Sequence, residues 1–210
     1  MTKTPLFTQA DAAGAPQLKP GVWMFFKEPG CIVDETSPFT DWPDCAGGGL
    51  VTGDGQISGH KSGAPKDQLE HAPIVLAAGD PRVLQIQMDV SVGVEAQASA
   101  SGDAQTSTSS SSTQTKAYGY AGVRPTRFDQ AGRITAFTLW PVQCGPPPPK
   151  NAKGEDVAMG TLQPLPGMEM KPGDAECTTS SVAALRDAAK ASQAWAEELR
   201  ESHWLRDGDR

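Results

Sequence analysis

Residues 82–94 read RVLQIQMDVSVGV and are the most regular stretch of the chain. Apolar side chains occupy every second position: Leu84, Ile86, Met88, Val90, Val92 and Val94. Polar or small residues fill the positions between them. Because successive side chains of a strand point to opposite faces of a sheet, this period of two predicts a β-strand with one buried face.

The partner predicted for this strand is the segment at residues 114–123. If Gly102 and Asp103 form a two-residue hairpin turn, the numbers of facing residues sum to 205. In this register Asp89 faces Lys116, and large apolar side chains face small ones, as is typical of stable cross-strand neighbours. The apolar pairs are Leu84 with Ala121, Ile86 with Gly119, and Met88 with Ala117.

The tip of this hairpin is predicted at residues 95–115, which consist mostly of Ser, Thr, Ala, Gln and Gly. Such a composition is also typical of a flexible linker, and that alternative stays open.

Short apolar runs separated by turn signals predict further strands within residues 21–141. The chain holds 22 Gly and 18 Pro among 210 residues, which favours turns and short strands. We therefore predict a mainly β protein of the α+β class. Its antiparallel meander sheet is able to curl into a half-barrel, with one long C-terminal helix packed on it.

The remaining segments complete a single domain over residues 1–210. Residues 1–20 show no periodicity and predict an irregular N-terminal arm. Residues 142–178 form a Pro- and Gly-rich arm across the sheet. Residues 179–206 predict the C-terminal helix, because alanines are frequent and apolar residues recur at helical spacing. That stripe comprises Leu185, Ala188, Ser192, Trp195 and Leu199, with Val182 and Ala189 beside it.

The four cysteines lie in Gly- and Pro-rich surroundings that suit disulfide bonds. Four cysteines allow three pairings, of which we favour Cys31 with Cys45 and Cys144 with Cys177. Disulfides indicate an oxidising compartment, so we expect a periplasmic or secreted protein whose leader was removed. A cytoplasmic protein with four free thiols is the alternative.

The overall charge argues against two classes of partner. A formal net charge of -7 and a pI near 4.9 disfavour binding to nucleic acid or to an anionic membrane. No apolar run is long enough to span a bilayer, so we expect no transmembrane segment. The residues after Met1 lack the apolar region of a signal peptide.

No motif predicts catalysis, metal binding or a cofactor. The histidines are His60, His71 and His203, and none lies in a nucleophile or metalloprotease motif. A zinc site built from Cys31, Cys45, His60 and His71 would lack the close paired spacing of structural zinc sites. We therefore expect no cofactor and assign no catalytic or metal-ligating residue.

One candidate binding face follows from the hairpin register. It places Gln85 and Gln87 beside Tyr118 and Tyr120 on the face opposite the core. Flat rings and amide groups on a rigid strand can hold a saccharide or a peptide. The alternative is that the helix or the arm at 142–178 covers this face.

The leading hypothesis is a non-enzymatic secreted or cell-envelope protein of the binding or inhibitor type. Its ligand would be an unknown protein or saccharide. One alternative is a structural subunit of a larger assembly, such as a virion or a surface layer, with contacts through residues 95–115 and the N-terminal arm. The other is an enzyme of unrecognised type. The oligomeric state stays open.

Overall fold

A computed structural model describes residues 1–60, 69–93, 112–150, 163–170, 177–196 and 199–208. Its strands are β1 (Gly21–Lys27), β2 (Ala46–Val51), β3 (Gln56–His60), β4 (Leu69–Ala77), β5 (Arg82–Gly93), β6 (Ser112–Phe128), β7 (Ile134–Pro141), β8 (Glu169–Met170), β9 (Cys177–Thr178) and β10 (Glu201–Arg206). The helices are α1 (Gln9–Ala12), a 3₁₀ turn (Phe39–Asp41) and α2 (Val182–Gln193).

Eight of these strands close into an antiparallel barrel with the order β1-β10-β7-β6-β5-β4-β3-β2. Strands β2 to β7 follow one another as a meander, and β1 pairs with both β2 and β10. The prediction of a mainly β, antiparallel fold is confirmed. The sheet curls further than a half-barrel, because β10 joins its two edges. That the chain is one domain stays a prediction.

The barrel interior is filled by apolar side chains from its strands. An eight-stranded barrel is just wide enough for side chains to fill it. The buried members of this core are Leu18, Trp23, Val51, Ile74, Leu76, Leu84, Val123, Ile134 and Phe137. The apolar positions predicted on the buried face of β5 therefore include core residues.

Strands β5 and β6 pair in the predicted register. Asp89 lies opposite Lys116, and all 12 facing pairs have residue numbers that sum to 205. The predicted turn at Gly102 and Asp103, and most of the tip at 95–115, lie outside the described residues.

The C-terminal helix is shorter than predicted. Its N-terminus is capped by the Ser181 hydroxyl, which accepts a hydrogen bond from the Ala184 N–H at 3.2 Å. The predicted helical span of 179–206 is wrong at its end, because residues 201–206 form β10. Pairing with β1 and β7 and the packing of Trp204 against the core outweigh the modest helical propensity of this segment.

The helix packs on the outside of the barrel by one face. Its buried residues are Ala184, Leu185, Ala188, Ala189 and Ser192. Part of the predicted stripe is thus buried, whereas Val182 and Leu199 are 37% and 39% exposed.

Both predicted disulfides are present. Cys31 and Cys45 close a loop whose residues Phe39 and Trp42 pack in a cluster on the outer side of β1. Cys144 and Cys177 join the chain after β7 to the residues before α2. Of the predicted arm at 142–178, residues 151–162 and 171–176 lie outside the described residues.

Candidate functional site

The outer face of β4, β5 and β6 carries the residues predicted as a binding face. Alternation along β5 and β6 places Gln85 and Gln87 beside Tyr120 and Tyr118 there. The N-terminal residues 1–7 and α2 lie over part of this surface. We call the covered part the arm groove, and it is formed by Ala77, Val83, Gln85, Tyr120, Leu185 and Ala189.

The Gln85 carboxamide binds the main chain of the N-terminal arm. Its Oε1 accepts hydrogen bonds from the backbone N–H groups of Leu6 at 2.9 Å and Phe7 at 3.0 Å. Its Nε2 donates to the carbonyl of Phe7 at 3.0 Å. The side chain of Gln85 is only 4% exposed, and a buried amide needs such partners. These three bonds therefore fix the path of the arm.

The ring of Phe7 fills a socket in the arm groove and is 1% exposed. The ring of Tyr120 meets it edge-on, with 6.4 Å between ring centroids. The guanidinium of Arg186 lies 5.1 Å from the centroid of the Phe7 ring. Burial of a phenylalanine side chain contributes about 1.5–3 kcal/mol, so this socket is the main apolar anchor of the arm.

Thr2 extends the sheet at the edge of β6. Its N–H donates to the Tyr118 carbonyl at 3.0 Å, and its carbonyl accepts from the Tyr118 N–H at 2.9 Å. The hydroxyl groups of Thr2 and Tyr120 share a hydrogen bond of 2.6 Å. Burial raises the pKa of Tyr120, so its phenol is protonated at neutral pH. The arm is therefore held at its start by both backbone and side chain.

Two of the four residues of the predicted binding face are thus covered by other parts of the chain. Gln85 and Tyr120 contact the N-terminal arm, which lies over them together with α2, so the alternative of a covered face applies at these two positions. Gln87 and Tyr118 are half-buried, and the Tyr118 hydroxyl donates to Gln87 Oε1 at 3.3 Å. Binding of an external ligand at this face stays a prediction.

No periodic pattern marks the arm residues that complete the site. Leu6 and Phe7 follow Pro5 and are the large apolar residues of an otherwise polar segment. This isolated apolar pair is the feature of the segment that indicates a buried anchor. Leu185 and Arg186 lie within the predicted helix at 179–206, and nothing else in the sequence marks them as groove residues.

The helix wall of the groove is fixed to the barrel by buried hydrogen bonds. Trp140 Nε1 donates to the Ala189 carbonyl at 2.8 Å, and the Gln143 N–H donates to Ser192 Oγ at 2.8 Å. The indole of Trp140 lies directly against Gly122, where a β-carbon would overlap it. This close approach lets α2 lie near the strands.

A cleft of about 190 Å³ lies beside the arm groove, between β6, α2 and the second disulfide. It is lined by Met1, Thr2, Gly119, Tyr120, Val142, Met168, Cys177, Thr179 and Leu185. The lining is mainly apolar, with hydroxyl groups of threonine and tyrosine among it. Pockets for whole small molecules are typically 300–1,000 Å³, whereas a cavity of about 150 Å³ accepts a benzene ring. The cleft therefore matches one side-chain-sized group.

A serine–histidine pair lies on the other side of the barrel. Ser58 Oγ and His71 Nδ1 are 2.6 Å apart and belong to directly opposed residues of β3 and β4. Ser58 is 2% exposed and lies mid-strand, paired with neighbours on both sides. A nucleophile must reach its substrate and lie near oxyanion donors. The pair is better explained as a cross-strand contact.

Within the described part of the chain, no group of three or more His, Cys, Asp or Glu residues is arranged to hold a metal ion. Cys31 and Cys45 are bonded to each other and are not thiolate ligands. Among the described helices, none has the length and apolar character needed to cross a membrane.

Comparison with known proteins adds no assignment. The chain matches no protein-family model, no curated protein and no solved structure. Its function is therefore inferred from the geometry alone.

Proposed function

We propose that this chain is a non-enzymatic, extracytoplasmic binding protein that engages a protein or peptide ligand on the outer face of β4 to β6. The observation that carries the proposal is the apolar cleft of about 190 Å³ beside the arm groove. Its size suits a single apolar anchor group, with the rest of the ligand lying outside it. Such anchors dominate the binding energy of many protein interfaces.

The same face favours a protein ligand over a saccharide. Saccharide binding would use exposed rings flanked by free amides. Gln85 is committed to the arm, and Tyr120 is packed against Phe7. This face instead has a mainly apolar cleft, and the cleft lies next to the edge of β6 that pairs with Thr2.

The extracytoplasmic location is supported by the two disulfides. Disulfides persist in the periplasm and outside cells and are rare in the cytosol. One of the two closes the loop before β2, and the other joins the chain after β7 to the residues before α2.

The proposal is tested by panning a random-peptide phage library against the immobilised protein. We expect enrichment of peptides that carry an apolar residue and that lose at least about tenfold in affinity for the Val142→Phe variant. Val142 lines the cleft, so the larger ring would fill it. Val182→Phe is the matched control, because Val182 is exposed on α2. Absence of enrichment, or equal affinity for both variants, would contradict the proposal.

A structural role in an assembly is the second candidate, favoured by the shape of the β5–β6 hairpin. β4 pairs with β5 no further than Ile86, and β7 pairs with β6 no earlier than Ala121. Among the described residues, backbone hydrogen bonds to the outer edge of β6 in this ribbon come from Thr2 at Tyr118 and from Val142 at Tyr120, and no described neighbour forms such a bond with the edge before Tyr118. Unpaired edges can accept strands from neighbouring molecules. Light scattering that shows only monomer at high concentration would exclude this role.

A further inference from the structure

We infer that the arm groove is a peptide-recognition site for a non-helical segment carrying a phenylalanine, and that residues 1–7 occupy it in cis. This inference rests on the proposed binding function and specifies its ligand class. The arm itself shows what fits, because the contacts of its Leu6–Phe7 main chain with Gln85 and of the Phe7 ring with the socket are non-covalent and are equally open to a separate peptide.

The backbone contacts are independent of sequence. Gln85 meets two successive N–H groups and one carbonyl of the arm, all of which belong to the main chain of Leu6 and Phe7. Thr2 pairs with Tyr118 through its own N–H and carbonyl. Main-chain pairing of this kind provides affinity in many peptide-binding domains, while pockets for individual side chains provide specificity.

The Phe7 socket supplies that specificity. It has apolar walls from the strands and α2, an edge-on contact from Tyr120 and a cationic contact from Arg186. An aromatic ring uses all three kinds of contact, whereas an alanine uses none of them fully. The helix wall of the socket is held to the barrel by the hydrogen bond from Trp140 to the Ala189 carbonyl, which does not involve the arm.

The cis arm must compete with any peptide added in trans. A tethered segment acts at an effective concentration in the millimolar range, so the wild-type groove is expected to bind free peptide weakly. Removing the ring of Phe7 while keeping the chain intact vacates the socket. The vacated groove should then accept the same segment from solution.

The test uses a fluorescein-labelled peptide with the sequence of residues 3–12, KTPLFTQADA, and fluorescence anisotropy. We expect the full-length Phe7→Ala variant to bind it at least about tenfold more tightly than the wild-type chain. The peptide in which alanine replaces phenylalanine should not bind. Adding Gln85→Leu to Phe7→Ala should abolish binding, whereas adding Gln87→Leu should not.

Equal affinities of the wild-type and Phe7→Ala chains, or binding that is indifferent to the phenylalanine of the peptide, would overturn the inference. If Phe7→Ala does not fold, Phe7→Leu serves as the milder variant. In the wild-type chain, millimolar unlabelled peptide should accelerate hydrogen exchange at the Leu6 and Phe7 amides, and no acceleration would count against the inference. Val182→Phe, at an exposed residue of α2, should leave peptide affinity unchanged. The cleft proposal is judged by library peptides on the wild-type chain and this inference by the arm peptide on the Phe7→Ala chain, so failure of one is distinguishable from failure of the other.

Discussion

The most informative single substitution is Gln85→Leu. Gln85 is buried, and its carboxamide holds the arm by three hydrogen bonds to Leu6 and Phe7. Leucine has a comparable volume but no polar atoms. The change therefore leaves two N–H donors and one carbonyl of the arm without their partner while the packing of the strand is largely kept.

The expected cost follows from these bonds. A hydrogen bond contributes about 0.5–1.5 kcal/mol net, so three of them correspond to about 1.5–4.5 kcal/mol. The arm can also detach and expose its groups to water. The loss of stability then cannot exceed what docking of the arm contributes, namely the burial of Phe7 plus the hydrogen bonds to Gln85. We therefore expect the free energy of unfolding to fall by about 2–3 kcal/mol.

Urea denaturation followed by circular dichroism measures this loss, and hydrogen exchange at Leu6 and Phe7 shows whether the arm detaches first. Gln87→Leu is the control, because the hydrogen bond described at Gln87 is a single long one of 3.3 Å, accepted from another described residue, Tyr118. It should cost less than about 1 kcal/mol. If Gln85→Leu costs no more than Gln87→Leu, the role assigned to Gln85 is wrong.

Three further predictions concern the scaffold. Cys144 and Cys177 are 33 residues apart, so replacing both by serine should cost about 3–4 kcal/mol in urea denaturation, and thiol titration of the denatured, unreduced wild type should find no free thiol. Gly122→Ala should cost about 1–3 kcal/mol, because the indole against it is fixed by its bond to α2, whereas Gly119→Ala meets only a flexible methionine end and should cost less. Hydrogen bonds that they accept are the first cause of lowered pKa values at Asp11, Asp34, Asp54, Asp129 and Glu201. Since a lowered pKa in the folded state adds stability that is lost as the pH falls through it, unfolding free energy should hold near neutral pH and fall below about pH 4, as acid titration of the urea midpoint would show.

The hairpin register was predictable because two local signals agree. Strict alternation over residues 82–94 fixes which face of β5 is buried, and the proposed turn at Gly102 and Asp103 fixes the partner. Complementary sizes across the pair then leave one register. A slip by one residue would turn every side chain to the other face, so the pattern is strongly specified.

The closing strand could not be predicted in the same way. Residues 201–206 continue a segment whose first half is helical, and helical spacing can be followed through Trp195 and Leu199. Their strand conformation depends on pairing with β1 and β7, which lie far away in sequence. Local propensity is a weak guide where such long-range pairing decides the structure.

Only the residues that β5 and β6 contribute to the candidate site were predictable from the sequence. Alternation placed Gln85 and Tyr120 on the outer face, but the arm that covers them has no periodicity to read. Its docking depends on Phe7 meeting a socket formed jointly by strands and α2. Such a contact exists only once the barrel and the helix are assembled.

We infer that the arm groove binds a peptide through Gln85 and the Phe7 socket. The most direct measurement is a titration of the ¹⁵N-labelled Phe7→Ala chain with the KTPLFTQADA peptide, followed by amide chemical shifts. We expect saturable shifts of the Gln85 side-chain amide and of backbone amides around Tyr120 and Leu185. No shift up to millimolar peptide, or shifts confined to the loop between Cys31 and Cys45, would contradict it.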